Sequence, residues 1–213
     1  RALPYFTARG ALKPDPLTFA FESHNAPTGQ LSFPGKISAD QKKRRLFITD
    51  SNHNRILITD ITGVIIETIG NGQKGRSDGS FAEAQFDHPQ GTYLDGDKLY
   101  IADTENHLIR MADLSSRTVT TILGTGKQAQ AQNISGMGTA VALNSPWDVL
   151  VHNGRLYIAM AGAHQLWVAD LKTFDARPWA GSAREDIHDG PLADASLAQP
   201  SGLMRQDESM HPL

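Results

Sequence analysis

Four prolines set the frame of this chain. Pro34, Pro89, Pro146 and Pro200 stand 55, 57 and 54 residues apart, and each opens a closely similar run. The flanks Phe33-Pro34-Gly35-Lys36, His88-Pro89-Gln90-Gly91, Ser145-Pro146-Trp147-Asp148 and Gln199-Pro200-Ser201-Gly202 align without gaps. A period of that order marks an array of equivalent units, none of which can bury its apolar face alone.

Within each unit the apolar runs are short and rich in β-branched and aromatic residues. Leu46 to Thr49, Leu99 to Ala102 and Leu156 to Ala159 form one set, each followed by a polar turn. Ile56 to Asp60, Ile109 to Asp113 and Leu166 to Asp170 form a second, and Val64 to Gly70, Val119 to Gly124 and Ala176 to Gly181 a third. With the run that begins at the proline, each unit holds four strands joined by turns. Repetition of such a unit predicts an all-β propeller, in which radial stacking leaves only short, protected sheet edges. The expected content is about three four-stranded blades plus the start of a fourth, an incomplete ring, with units near 34–88, 89–145 and 146–199 and a partial unit at 200–213. Between blades, Gly75 to Gly79 with Ala82 and Ala84, and Ile187 to Gly190 with Ala193 and Ala195, read as one loop used twice. Its Asp-Gly supplies a turn and its alanines a short helical segment.

The second unit contains Ala102-Asp103-Thr104-Glu105-Asn106-His107-Leu108-Ile109-Arg110, with a literal Asn-His-Leu. The first carries the variant His53-Asn54-Arg55-Ile56 and the third Ala163-His164-Gln165-Leu166. On these residues the chain resembles the NHL-repeat β-propeller family. Through Phe33–Lys36, Ser145–Val149, Ile158–Trp167 and Gln199–Leu203 it is similar to the branch that includes NHL-repeat-containing protein two and its bacterial thioredoxin-like/NHL relatives. That likeness runs from about Leu31 to Leu203. It implies that residues 1–30 are a connector leaving an upstream thioredoxin-like domain, with one strand near 17–22, and that 31–213 are a propeller fragment of a longer protein.

Charge and composition close off several functions. With 20 Lys+Arg against 23 Asp+Glu the net charge is -3, so no general attraction to nucleic acid or anionic membrane is expected. The basic run Lys42 to Arg45 reads as a solvated turn before a strand. Cysteine is absent, which removes disulfides, thiol nucleophiles and thiolate metal sites. No stretch approaches the roughly 20 apolar residues of a membrane span, and the opening residues lack a signal-peptide pattern, so the expected compartment is the cytoplasm.

Two sets of residues stand out. Asp50, His53, Asn54, Asp103, Asn106 and His107 recur at the turn after one strand of consecutive units, where a carboxylate can accept backbone N–H groups that a sheet leaves unpaired; they are expected to build the turn. A metal reading of the turn histidines fails on spacing, because equivalent turns of adjacent sheets stand about 10 Å apart and zinc needs converging ligands at about 2 Å. No metal site, cofactor or catalytic residue is expected. The second set breaks the repeat: Trp147 and Asp148 replace small or polar residues, Met160 replaces the recurring Asp, and His164 and Trp167 complete an unusual third unit. Residues that the fold does not demand are candidates for binding.

The reading that follows is a non-catalytic binding or scaffold module that presents its loops to a protein or peptide partner. The alternatives are a propeller enzyme, such as a metal-assisted lactonase, hydrolase or lyase, and a regulatory domain for an adjacent thioredoxin-like redox site. Uncapped blades are expected to make the fragment self-associate.

Overall fold

The structure, a computed structural model, describes residues 30–205. The expected connector over 1–30 with its strand near 17–22, and the end of the partial fourth unit, lie outside the described residues.

Three antiparallel sheets follow one another along the chain. The first blade is β1 (Pro34–Asp40), β2 (Arg45–Asp50), β3 (Arg55–Asp60) and β4 (Ile65–Ile69), paired in that order. A two-residue strand, β5 (Gly79–Ser80), precedes the second blade of β6 (Pro89–Asp95), β7 (Lys98–Asp103), β8 (Leu108–Asp113) and β9 (Thr118–Leu123). The third repeats the plan, with β10 (Gly136–Met137) ahead of β11 (Pro146–His152), β12 (Arg155–Met160), β13 (Gln165–Asp170) and β14 (Asp175–Ala180). The short strands β5 and β10 pair with β9 and β14, so each linking loop adds a fifth strand to the outer edge of the blade that follows it.

Pro34, Pro89 and Pro146 open edge strands, where their missing N–H costs no ladder bond. The residue before each of the four repeat prolines adopts a left-handed conformation: Phe33, His88, Ser145 and Gln199 have φ of 47°, 49°, 48° and 47°. The fourth proline therefore enters its unit with the same local geometry as the other three.

Packing explains why the strands read as unbroken apolar runs. Along β7, Leu99 and Ile101 face the first blade with Phe47, Ile56, Ile58 and Ile69, while Tyr100 and Ala102 face the third with Val149, Val151, Leu156 and Ile158. Alternate side chains leave opposite faces of a strand, so a sheet covered on both sides needs apolar residues at every position. The linking loops wedge into these cores: Phe81, Ala84 and Phe86 into the first, Val141 and Leu143 into the second.

The loop used twice appears at the level of single hydrogen bonds. Gly70 and Asn71 donate to the carbonyls of Phe81 and Ala84, and Gly181 and Ser182 donate to those of Leu192 and Ala195. The helical segment expected at the alanines is smaller than predicted, a single turn closed by Ala84 N–H on Ser80 and Ala195 N–H on Pro191. Among the described residues no helix is long and apolar enough to cross a membrane.

Candidate functional site

The Asp at the end of the second strand anchors each of the first two turns. Fully buried Asp50 accepts the Ser32 N–H at 2.7 Å, and fully buried Asp103 accepts the Asp87 N–H at 2.8 Å. The second carboxylate oxygen holds the turn and the next strand: His53 Nδ1 at 2.7 Å and Arg55 Nε at 2.8 Å on Asp50, Asn106 Nδ2 and Arg110 Nη1 both at 2.8 Å on Asp103. Arg110 is itself fully buried and also meets Asp78 and the carbonyls of Ser77 and Gln85, which stitches the linking loop to the blade. Burial pushes the Asp103 carboxyl up to about 6, against the pull of Arg110 and its hydrogen-bond donors.

The last residue of each turn reaches across to the following unit. Asn54, His107 and His164 all have positive φ, at 52°, 54° and 54°. The Asn54 side-chain oxygen accepts the His88 N–H at 3.0 Å, His107 Nδ1 accepts the Ser145 N–H at 3.0 Å, and His164 Nδ1 accepts the Gln199 N–H at 3.3 Å. Each donor is the left-handed residue before a proline. Because Nδ1 accepts, the proton of these neutral imidazoles sits on Nε2. Burial lowers the His107 pKa, which keeps that form. A second latch runs beside the first, from Ser51 Oγ to the Pro89 carbonyl at 2.6 Å and from Thr104 Oγ1 to the Pro146 carbonyl at 2.7 Å. Sequence reasoning passed over Ser51, Thr104 and Arg110, although a hydroxyl directly after the Asp in two of three units was visible.

The five repeat-breaking residues do not converge. Met160 is fully buried in the core between the second and third blades, where its sulfur receives the Asn144 N–H at 3.4 Å in place of a carboxylate. Trp147 is half-buried at the start of β11, and its backbone packs on Gly91 of β6. Asp148 lies on the axis, where Lys36 Nζ meets it at 2.6 Å and the Leu203 N–H at 2.8 Å. His164 and Trp167 share a pocket of about 150 Å³ on the third blade, formed with the loop over 129–133.

The axial contact depends on three residues at one repeat position. Lys36, Gly91 and Asp148 each lie two residues after a proline, on β1, β6 and β11. A Cβ on Gly91 would stand 2.4 Å from Asp148 Oδ1 and 2.6 Å from its Cα, so only glycine lets the outer two strands bring a cation and an anion together across the middle one. Beside this pair the three inner strands and residues 203–205 enclose a cleft of about 530 Å³, lined by Ser38, Thr92, Tyr93 and Leu150 among others. Among the described residues no group of three or more His, Asp or Glu comes together to hold a metal.

Stacked four-stranded sheets, latched blade to blade through an Asp–His-type turn, define blades of an NHL-repeat β-propeller. The NHL repeat model matches residues 86–110, which include the Asp103–Arg110 turn. Over 97% of its length the chain is 38% identical to NHL repeat-containing protein 2 of Gallus gallus, and over 95% it is 41% identical to Protein SUPPRESSOR OF QUENCHING 1, chloroplastic, of Arabidopsis thaliana. The chain spans 31% and 20% of those proteins. In fold it is similar to a structural genomics protein of unknown function from Bacteroides thetaiotaomicron, with a TM-score of 0.52 at 23% identity, covering 70% of this chain and 37% of that one.

Proposed function

We propose that this array is a non-catalytic binding module that holds a segment of a protein partner in its axial cleft. The observation that carries the reading is how the polar side chains are spent. Those that recur are committed to joining blades, and Asp148, the buried acid on the axis, is occupied by Lys36 and by the Leu203 and Val149 N–H groups. Such a carboxylate is poorly placed to act as a base or nucleophile, which counts against the enzyme alternative.

The cleft itself falls in the size range of ligand sites and sets half-buried Tyr93 and Leu150 beside Ser38 and Thr92, whose hydroxyls bond each other at 2.7 Å, and beside the charged Lys36, Asp148 and Arg205. An aromatic and aliphatic wall beside side chains of both charge signs suits a peptide segment, which carries apolar and polar groups side by side. The test is site-specific crosslinking in the full-length protein, comparing Tyr93→p-benzoylphenylalanine with the same replacement at exposed Lys42. One partner captured at position 93 alone, and held at least tenfold more weakly by Tyr93→Ala at unchanged melting temperature, is the expected result. Equal capture at both positions, or unchanged affinity, would refute it.

A further inference from the structure

The third-blade pocket exists because the third unit lacks side chains that the other two place in the turn. Where they carry Asn52-His53 and Glu105-Asn106, it has Gly162-Ala163. His53 and Asn106 fold back onto Asp50 and Asp103. At the corresponding places the third unit has Ala163 and Met160, and the vacated space is roofed by the loop over 129–133.

The lining is uncharged: glutamine, asparagine, alanine and glycine, with His164 and Trp167. Its framework is fully engaged. Gln165 Nε2 donates to Asn133 Oδ1 at 2.7 Å and to the Gly181 carbonyl at 2.9 Å, while its oxygen takes the Trp167 indole N–H at 3.2 Å. Asn144 donates to the Gly162 carbonyl at 2.9 Å and accepts from Gln128 at 3.0 Å. Four lining groups are not engaged in this way. The Asn133 amide NH₂ and His164 Nε2–H are donors, and the side-chain oxygens of Gln130 and Gln132 are acceptors, because these residues use their other polar atom elsewhere.

We propose that this pocket binds one neutral carboxamide, the side chain of a Gln or Asn in a peptide. A carboxamide accepts through its oxygen and donates through its nitrogen, so it complements a wall that offers both donors and acceptors. A carboxylate could set one oxygen on the donors but would turn the other toward the side-chain oxygens of Gln130 and Gln132 with no cation in the lining, while an ammonium meets no anion. The volume of about 150 Å³ holds one medium-sized side chain. Free glutamine brings an α-ammonium and an α-carboxylate that the lining does not pair, which singles out a residue within a peptide. The site is separate from the axial cleft, and its fate does not depend on that reading.

The experiment is an NMR titration of the ¹⁵N-labelled chain with N-acetyl-glutamine methylamide, N-acetyl-glutamate methylamide and free L-glutamine. Saturable shifts at the amides of Gly162, Ala163 and His164 and at the Trp167 indole are expected with the first probe, with a Kd on the order of 1 mM for so small a ligand. The other two should bind at least tenfold more weakly. Ala163→Asn restores the second blade's side chain and should abolish binding at an unchanged fold; Ala163→His, the first blade's residue, serves if that variant does not fold. Absence of saturable shifts, equal binding of the glutamate probe, or binding retained in a folded filled variant would overturn the proposal. If neither variant folds, the ranking of the three probes on the wild-type chain decides.

Discussion

Removing the Asp103 carboxylate should cost the second blade far more than an ordinary turn residue is worth. Asp103→Ala orphans the Asp87 N–H, which is buried with its donor bond at 2.8 Å, at about 1–3 kcal/mol. It also strips fully buried Arg110 of its buried counter-charge, leaving only Asp78, whose side chain is 45% exposed. Breaking a buried ion pair by removing one partner brings the expected loss to about 3–5 kcal/mol. The third blade shows how the same place is filled without charge: Met160 stands at the Asp position and Trp167 at the Arg position, both buried. Asp103→Met with Arg110→Met should therefore recover much of the loss seen in Asp103→Ala, since no uncompensated charge remains. Urea unfolding followed by far-UV circular dichroism, with fluorescence of the three tryptophans reporting the third unit, measures both. A loss below about 1 kcal/mol for Asp103→Ala, or a double variant no more stable than it, would refute the assignment.

The same carboxylate predicts a pH dependence. Its folded pKa of about 6 lies above the ordinary 3.8, so the native state binds a proton that the unfolded chain takes up only at lower pH. This contribution to stability is complete below about pH 4 and lost as pH rises through 6. Between pH 7 and 5 the wild type should gain about 1 kcal/mol relative to Asp103→Asn; parallel stability profiles for the two would contradict it. At the latch, His107→Asn places the first blade's residue in the same left-handed geometry and should be nearly neutral, while His107→Ala should cost about 1–3 kcal/mol through the orphaned Ser145 N–H. Equal melting temperatures for the two variants would show that the latch carries no energy. Exposed Trp179, Ile187 and Met204 should make the chain associate with rising concentration, and Trp179→Ser should reduce the effect; a monomer at all concentrations by sedimentation velocity would remove this expectation.

The propeller architecture was legible because the middle blade is covered on both faces, which forces apolar residues at every position of Leu99 to Ala102, and the first and third units repeat the pattern in Leu46 to Ile48 and Leu156 to Ala159. The strands β5 and β10 were not legible, since two residues carry no periodicity and their pairing comes from where the loop is pinned. The carboxylates of Asp50 and Asp103 were readable as acceptors for unpaired backbone groups. That the residue closing each turn bonds to the next blade was not, because the latch spans 34 to 38 residues in sequence and depends on two left-handed residues meeting.

Comparing units position by position singled out the third unit, and the fold distributes its departures over several places. Asp148 and Met160 belong to paired strands, yet β11 turns Asp148 toward the axis while β12 sends Met160 into the core between blades. Strand alternation separates residues that a list of departures groups together. The informative comparison runs across blades at a single position. Lys36, Gly91 and Asp148 share one offset from their prolines and look unrelated in turn, but together they form one contact, in which the middle blade contributes the absence of a side chain. The third-blade pocket follows the same logic. Ala163 matters through His53 and Asn106, whose side chains show what its own lacks. In an array whose common residues are spent on holding blades together, these two features arise where one blade withholds a side chain that its neighbours supply.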